Sequence, residues 1–166
     1  MNKNQRSYEL FDELQLMDVR SCVVKPDLKP EEKADNPDDN LACGTETILL
    51  VDDEKVIIDV ARDMLEILGY QVLVAQSGRE AIDIYDRQKD VIDLVIQDMV
   101  MPGINGAGVF KALKAINPNV KVILASGYVL NEQITAVMEQ GCRAFMSKPF
   151  RLEDLSAKVR EVLDSP

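Results

Sequence analysis

From Thr45 onward, short uninterrupted apolar runs alternate five times with longer stretches whose apolar residues recur at helical spacing. The pattern predicts strands at Thr47–Val51, Gln71–Ala75, Leu94–Gln97, Lys121–Ala125 and Ala144–Met146. Helices are predicted near 55–68, 78–88, 106–116, 131–140 and 151–164. Gly69 and Gly141 stand where helix C-caps fall, and Asn117-Pro118 stops the third helix. The runs ILLV, DLVI and VILA are too short for helices and too uniformly apolar for half-exposed strands. They fit strands covered on both faces, so the fold class is α/β with a doubly wound parallel sheet. No internal repeat beyond this rhythm is present.

Before Gly44 the pattern changes. Leu10, Phe11, Leu14 and Met17 recur at helical spacing and predict one short amphipathic helix, which cannot bury its stripe alone. The stretch KPDLKPEEKADNPDDN, from Lys25 to Asn40, has three prolines and many charges, and it reads as a solvated linker. The expected organisation is an extension over residues 1–44 and a folded domain over 45–166.

Composition narrows the chemistry. The 166 residues are 46% hydrophobic and 29% charged, enough for a real core, which must be aliphatic because aromatics are 5% and Trp is absent. Nineteen basic against 29 acidic side chains give a net charge of -10, and no basic patch offsets it, so direct binding to nucleic acid or anionic lipid is not expected. The count of His 0 excludes a Ser-His-Asp triad, a His-ligated metal and a phosphohistidine within the chain. Any histidine chemistry must come from a partner. Cys22, Cys43 and Cys142 lie far apart without CxxC spacing, which suggests reduced thiols and a cytoplasmic setting. The N-terminus leads into no signal-type apolar region and no run is long enough to span a bilayer, so membrane insertion is not expected.

In doubly wound sheets ligands bind beyond the carboxyl ends of the strands, where the strand order reverses. For an order 2-1-3-4-5, strand one ends in Val51-Asp52-Asp53-Glu54 and strand three in Gln97-Asp98. Strand four ends in Ala125-Ser126-Gly127, and strand five runs into Ser147-Lys148-Pro149. Singly each has a bland reading: Asp52-Asp53 as a helix cap, Asp98 as a turn opener, Ser126 as a turn hydroxyl and Lys148 as a surface lysine. Four independent loops delivering matched groups to one sheet edge are harder to assign to accident. Convergent carboxylates repel unless a cation sits among them, and an all-oxygen set suits Mg²⁺. Lys148 and Ser126 could hold a phosphoryl group from the other side, leaving Asp98 as the nucleophile.

The motifs VDDE, DMVMPGING, ILASGY and KPF, in that order from Thr45 to about Leu163, resemble the receiver domain of two-component response regulators. Segments such as GTETILLVDDE, INPNVKVILASGY and GCRAFMSKPF look most like receivers of hybrid sensor histidine kinases. The resemblance implies a flavodoxin-like (βα)₅ fold with Asp98 as phosphoacceptor, Ser126 as switch hydroxyl and Lys148 as phosphate-binding ammonium. It implies Mg²⁺ held by Asp52, Asp53, Asp98 and the Val100 carbonyl, a cis Lys148-Pro149 bond, and Phe145 as the aromatic whose rotamer accompanies activation. Val100 and Tyr128 fall at the positions that tune dephosphorylation. Two departures stand out: Gln97 where a buried aliphatic residue is more usual, and Ser126 for the commoner Thr. A buried amide at 97 needs a partner.

The implied function is a phosphorelay switch, not a conventional enzyme. A sensor histidine kinase or histidine phosphotransfer protein would donate the phosphoryl group, and the fourth helix, fifth strand and fifth helix would change shape, with a homodimer through that face left open. With Pro166 ending the sequence, the chain reads as a stand-alone regulator or a portion of a hybrid kinase, and a start at Met1 favours the former. Three alternatives fit less well. A haloacid dehalogenase-type phosphatase wants DxD after strand one, whereas DDE stands there. A flavodoxin wants hydroxyl and amide donors in place of the two aspartates. A receiver-shaped module that is never phosphorylated typically lacks one of the acids or the lysine.

Overall fold

The computed structural model describes residues 41–127 and 132–166. The expected helix at Leu10, Phe11, Leu14 and Met17 and the expected site residue Tyr128 lie outside the described residues. Among the described residues, five parallel strands alternate with five helices: β1 Thr47–Val51, α1 Lys55–Ile67, β2 Gln71–Ala75, α2 Gly78–Gln88, β3 Leu94–Asp98, α3 Gly106–Ile116, β4 Val122–Ser126, α4 Glu132–Glu139, β5 Ala144–Ser147 and α5 Leu152–Asp164. The sheet order is β2-β1-β3-β4-β5, the doubly wound order expected.

Strand alternation sorts the aliphatic residues between two cores. Leu49, Val51, Val95, Val122 and Leu124 face α2, α3 and α4, where they meet Ala81, Tyr85, Val109, Phe110, Leu113 and Ile134. Ile48, Leu50, Leu94, Ile96 and Ile123 face α1 and α5, against Ile58, Leu65, Leu155 and Val159. Each fully buried aliphatic side chain of this size stabilises the fold by about 1.5–3 kcal/mol relative to exposure. Both faces covered is why these strands read as continuous apolar runs.

Helix ends follow the expected chemistry. Gly69 at φ +91° and Gly141 at φ +97° take the left-handed conformation that a side chain resists. Each closes its helix with paired reverse bonds: Gly69 N–H to Glu66 O at 3.0 Å with Tyr70 N–H to Leu65 O at 3.1 Å, and Gly141 N–H to Met138 O at 2.9 Å with Cys142 N–H to Val137 O at 3.3 Å. Ser77 caps α2 through Glu80 N–H, and Asn105 caps α3 through Gly108 N–H.

Residues preceding β1 pack on the domain. Leu41 joins the α1 and α5 core, Ala42 exchanges two hydrogen bonds with the Ser156 hydroxyl (2.7 and 3.0 Å), and Gly44 N–H reaches Leu68 O at 3.0 Å. Cys142 is free and buried, its thiol pushed up to about 11 chiefly by burial. Cys43 is disulfide-bonded, which corrects the expectation of reduced thiols: a disulfide depends on approach in space and needs no CxxC spacing. No helix among the described residues is long and apolar enough to cross a membrane.

Candidate functional site

β3, β4 and β5 each run one residue further toward the site than expected from sequence. Asp98 is the last residue of β3, paired with Ala125, and Ser126 the last of β4, paired with Ser147. Backbone bonds extend this order past the strand ends, from Met99 N–H to Ala125 O at 2.9 Å and from Lys148 N–H to Ser126 O at 2.8 Å. The polar groups are therefore carried on ladder-bonded backbone at one sheet edge. Asp52, Asp98 and Ser126 are 2%, 6% and 1% exposed, far below what isolated turn or cap residues show.

Lys148 joins the edge together. Its Nζ donates to Asp98 Oδ1 at 2.7 Å and to Asp52 Oδ2, and Lys148-Pro149 is cis. The remaining carboxylate oxygens accept backbone donors, Asp52 Oδ1 from Glu54 N–H at 3.0 Å and Asp98 Oδ2 from Val100 N–H at 2.8 Å. The turn-opening role of Asp98 and its place beside Lys148 thus coexist. The helix-cap role assigned to Asp52-Asp53 does not: Glu54 is the N-cap of α1, and it makes no side-chain cap bond. Asp53 is exposed.

The charges are unevenly matched. Burial raises the Asp98 carboxyl above the usual carboxylate range, overcoming the hydrogen bonds and charge of Lys148 and the Val100 N–H that pull it down, and Asp52 pushes it further up. Burial pulls Lys148 down, but its bonds to Asp52 and Asp98 outweigh this and hold it above the ordinary lysine range. Two buried carboxylates share one ammonium, so the edge keeps an excess negative charge. That surplus and the all-oxygen donors fit a hard divalent cation. Asp52, Asp53, Asp98 and the Val100 carbonyl are the groups that would hold it. Among the described residues no three carboxylates already stand together as a metal cluster.

A cleft of about 440 Å³ opens over this edge, lined by Glu54, Ile57, Asp98, Val100, Ser126, Gly127, Lys148 and Pro149. Val100 is 60% exposed at its rim. Glu54 and Ile57 were not singled out from sequence, although Glu54 closes the VDDE motif and Ile57 lies one turn along on α1. Phe145 is part-buried, packed against the core beneath α2, α3 and α4, and it lines a second groove with Pro149, Phe150 and Lys158. Gln97, wholly buried, finds the partner its amide needs in the Gly106 carbonyl at 2.6 Å.

A 2-1-3-4-5 parallel sheet with a lysine bridging buried carboxylates at its switch point defines a doubly wound α/β domain with a charged site at its strand ends. The model of the response regulator receiver domain matches residues 48–160, and the chain belongs to that family. It is 32% identical over 149 residues to the sensor kinase CckA of Brucella abortus, covering 90% of this chain and 16% of that protein, so it spans well under two thirds of that relative. With sporulation initiation phosphotransferase F of Bacillus subtilis it is 32% identical over 118 residues, covering 71% of this chain and 94% of that one. Among solved structures, the receiver domain of the Pseudomonas aeruginosa sensor histidine kinase PA1611, with magnesium in its active-site cleft, is 25% identical. It superposes with a TM-score of 0.67 over 74% of this chain and all of that one (100%). The protein is thus a two-component receiver domain, a class of signalling switches that interact with histidine kinases and phosphotransfer proteins.

Proposed function

We propose that the domain is a phosphoacceptor in a phosphorelay, with Asp98 as the acceptor. The observation that carries this reading is the Lys148 ammonium set between Asp98 and Asp52 at the mouth of the cleft. An Asp98 carboxylate oxygen attacks the phosphorus of a partner's phosphohistidine, the P–N bond breaks, and the leaving imidazole takes up a proton. Lys148 and the Ser126 hydroxyl face the transferred oxygens, where their positive charge and donor capacity oppose the developing negative charge. A bound Mg²⁺ would supply charge neutralisation between the acids and the phosphoryl group. Ser126 and Phe145 are the residues through which occupancy reaches the α4, β5 and α5 face, including any homodimer formed there.

Support comes from relatives whose names place them in kinase and phosphotransfer roles and from the magnesium held by the PA1611 receiver. The donor is a sensor histidine kinase or histidine phosphotransfer protein, since this chain has His 0. A cytoplasmic placement goes with this reading. Persistence of the Cys43 disulfide in protein extracted under alkylating conditions would overturn that placement.

Incubation with a small phosphodonor should label the wild type only with divalent metal and should leave Asp98→Asn unlabelled. Label in Asp98→Asn, or metal-independent labelling, refutes the reading. We further expect slow self-hydrolysis, because Val100 at the cleft rim cannot hydrogen-bond an attacking water and Tyr128 stands at the second tuning position in sequence. Val100→Asn and Tyr128→Glu should shorten the phosphoryl lifetime; unchanged decay in both refutes the shielding.

A further inference from the structure

Gln97 lies in one sheet row with Val51 and Leu124, its paired neighbours, and with Phe145 beyond Leu124. In this apolar row a wholly buried amide is out of place. Its Nε2 donates to the Gly106 carbonyl at 2.6 Å, while its Oε1 is buried with no hydrogen-bond partner among the described residues. An apolar residue would leave no such orphan, so packing alone does not account for Gln97.

What the amide does is close a loop. Gly106 opens α3, and its N–H returns to Met99 O at 3.0 Å. The side-chain bond from Gln97 and this backbone bond together tie the start of α3 to both sides of Asp98. The contact is close: a Cβ on Gly106 would stand 2.5 Å from Asp98 O and 2.8 Å from Met99 Cα. The tied loop, residues 99–105, carries Val100, whose N–H already holds Asp98 Oδ2. Its carbonyl is the one backbone oxygen in the set assigned to the metal.

We infer that Gln97 is a positioning residue: its amide clamps the Val100 loop against α3, fixing the spacing between the Asp98 carboxylate and the Val100 carbonyl and so favouring the small Mg²⁺ ion over Ca²⁺. The physical basis is that Mg²⁺ demands near-ideal octahedral geometry at short oxygen distances, whereas Ca²⁺ accepts longer and more variable ones. A loop free to widen loses that preference. The inference rests on the metal reading above and extends it to a residue that touches neither metal nor phosphate.

Calorimetric titration of the full chain with Mg²⁺ and with Ca²⁺ tests it, on wild type, Gln97→Leu and Gln97→Met, with melting curves recorded without metal. Both variants delete the donor and the orphaned oxygen together. The expected result is a Mg²⁺ dissociation constant raised about tenfold, the lower end for residues supporting a metal ligand. Ca²⁺ affinity should change less, so the Mg²⁺ to Ca²⁺ preference narrows, while metal-free melting stays level or rises. Wild type that binds neither ion overturns the metal reading and the clamp with it. Wild type that binds, with variants unchanged in affinity and preference, overturns the clamp alone. Equal weakening of both ions, or failure of both variants to fold, assigns Gln97 to general stability and also overturns it.

Discussion

Replacing Lys148 by methionine should expose how strained the acid edge is. The substitution keeps most of the side-chain volume and removes the one ammonium shared by Asp52 and Asp98. Lys148, Asp52 and Asp98 have side chains only 10%, 3% and 7% exposed, so solvent screening is slight. At 2.7 Å the Asp98 contact alone carries about 6 kcal/mol of Coulomb attraction at an effective dielectric near 20. Part of this repays the desolvation of the lysine, and breaking such a buried pair from one side typically costs about 3–5 kcal/mol. With a urea slope of about 2 kcal/mol/M, the unfolding midpoint should fall by about 2 M at pH 7. The loss should shrink on acidification. Burial raises the Asp98 carboxyl in the folded state and Lys148 pulls it down, so removing Lys148 lifts it further. The folded variant then holds its proton to a higher pH than the unfolded chain does, so stability rises as pH falls from 7 into the carboxylate range. The double variant Lys148→Met with Asp98→Asn should recover about half the loss or more. Urea titrations at both pH values settle the matter. A loss below about 1 kcal/mol at pH 7, or a loss independent of pH, refutes the description of Lys148 as the counter-charge of two buried carboxylates.

Gly106→Ala should destabilise by about 2–3 kcal/mol, because its Cβ would meet backbone that cannot turn away, at 2.5 Å from Asp98 O; thermal unfolding measures it. Ser156→Ala removes both hydrogen bonds that pin Ala42 and should cost about 1–2 kcal/mol, with faster proteolytic cleavage near residue 42 than in wild type. Cys142 should resist alkylation at neutral pH in the native state. Because its folded value is about 11 against an ordinary 9, the unfolded chain loses its proton first, so stability should decline as pH rises through that interval; alkaline urea titrations of wild type and Cys142→Ala check the sign.

How much of this could be read in advance differs between fold and site. The strands and helices were legible because both sheet faces are covered, which leaves β1, β3 and β4 as unbroken apolar runs that few other arrangements tolerate. The C-terminal ends of β3 and β4 were not, because polar residues close each run in sequence while the ladder continues through Asp98 and Ser126 in space. That Asp52, Asp98, Ser126 and Lys148 gather at one place was legible for a related reason: each ends or follows a strand, and parallel topology sends all four strand ends to one edge. What sequence could not supply was the division of labour among them. Asp52 and Asp53 are adjacent and chemically identical, yet one is buried on Lys148 and the other exposed, because a residue leaving a strand turns its neighbour to the opposite side. Gln97 shows the same limit from the other direction. Its polarity announced that some partner must exist, but the partner is a helix-start carbonyl nine residues on. That contact depends on how closely Gly106 approaches the backbone of Asp98, a packing distance that no spacing of residues encodes.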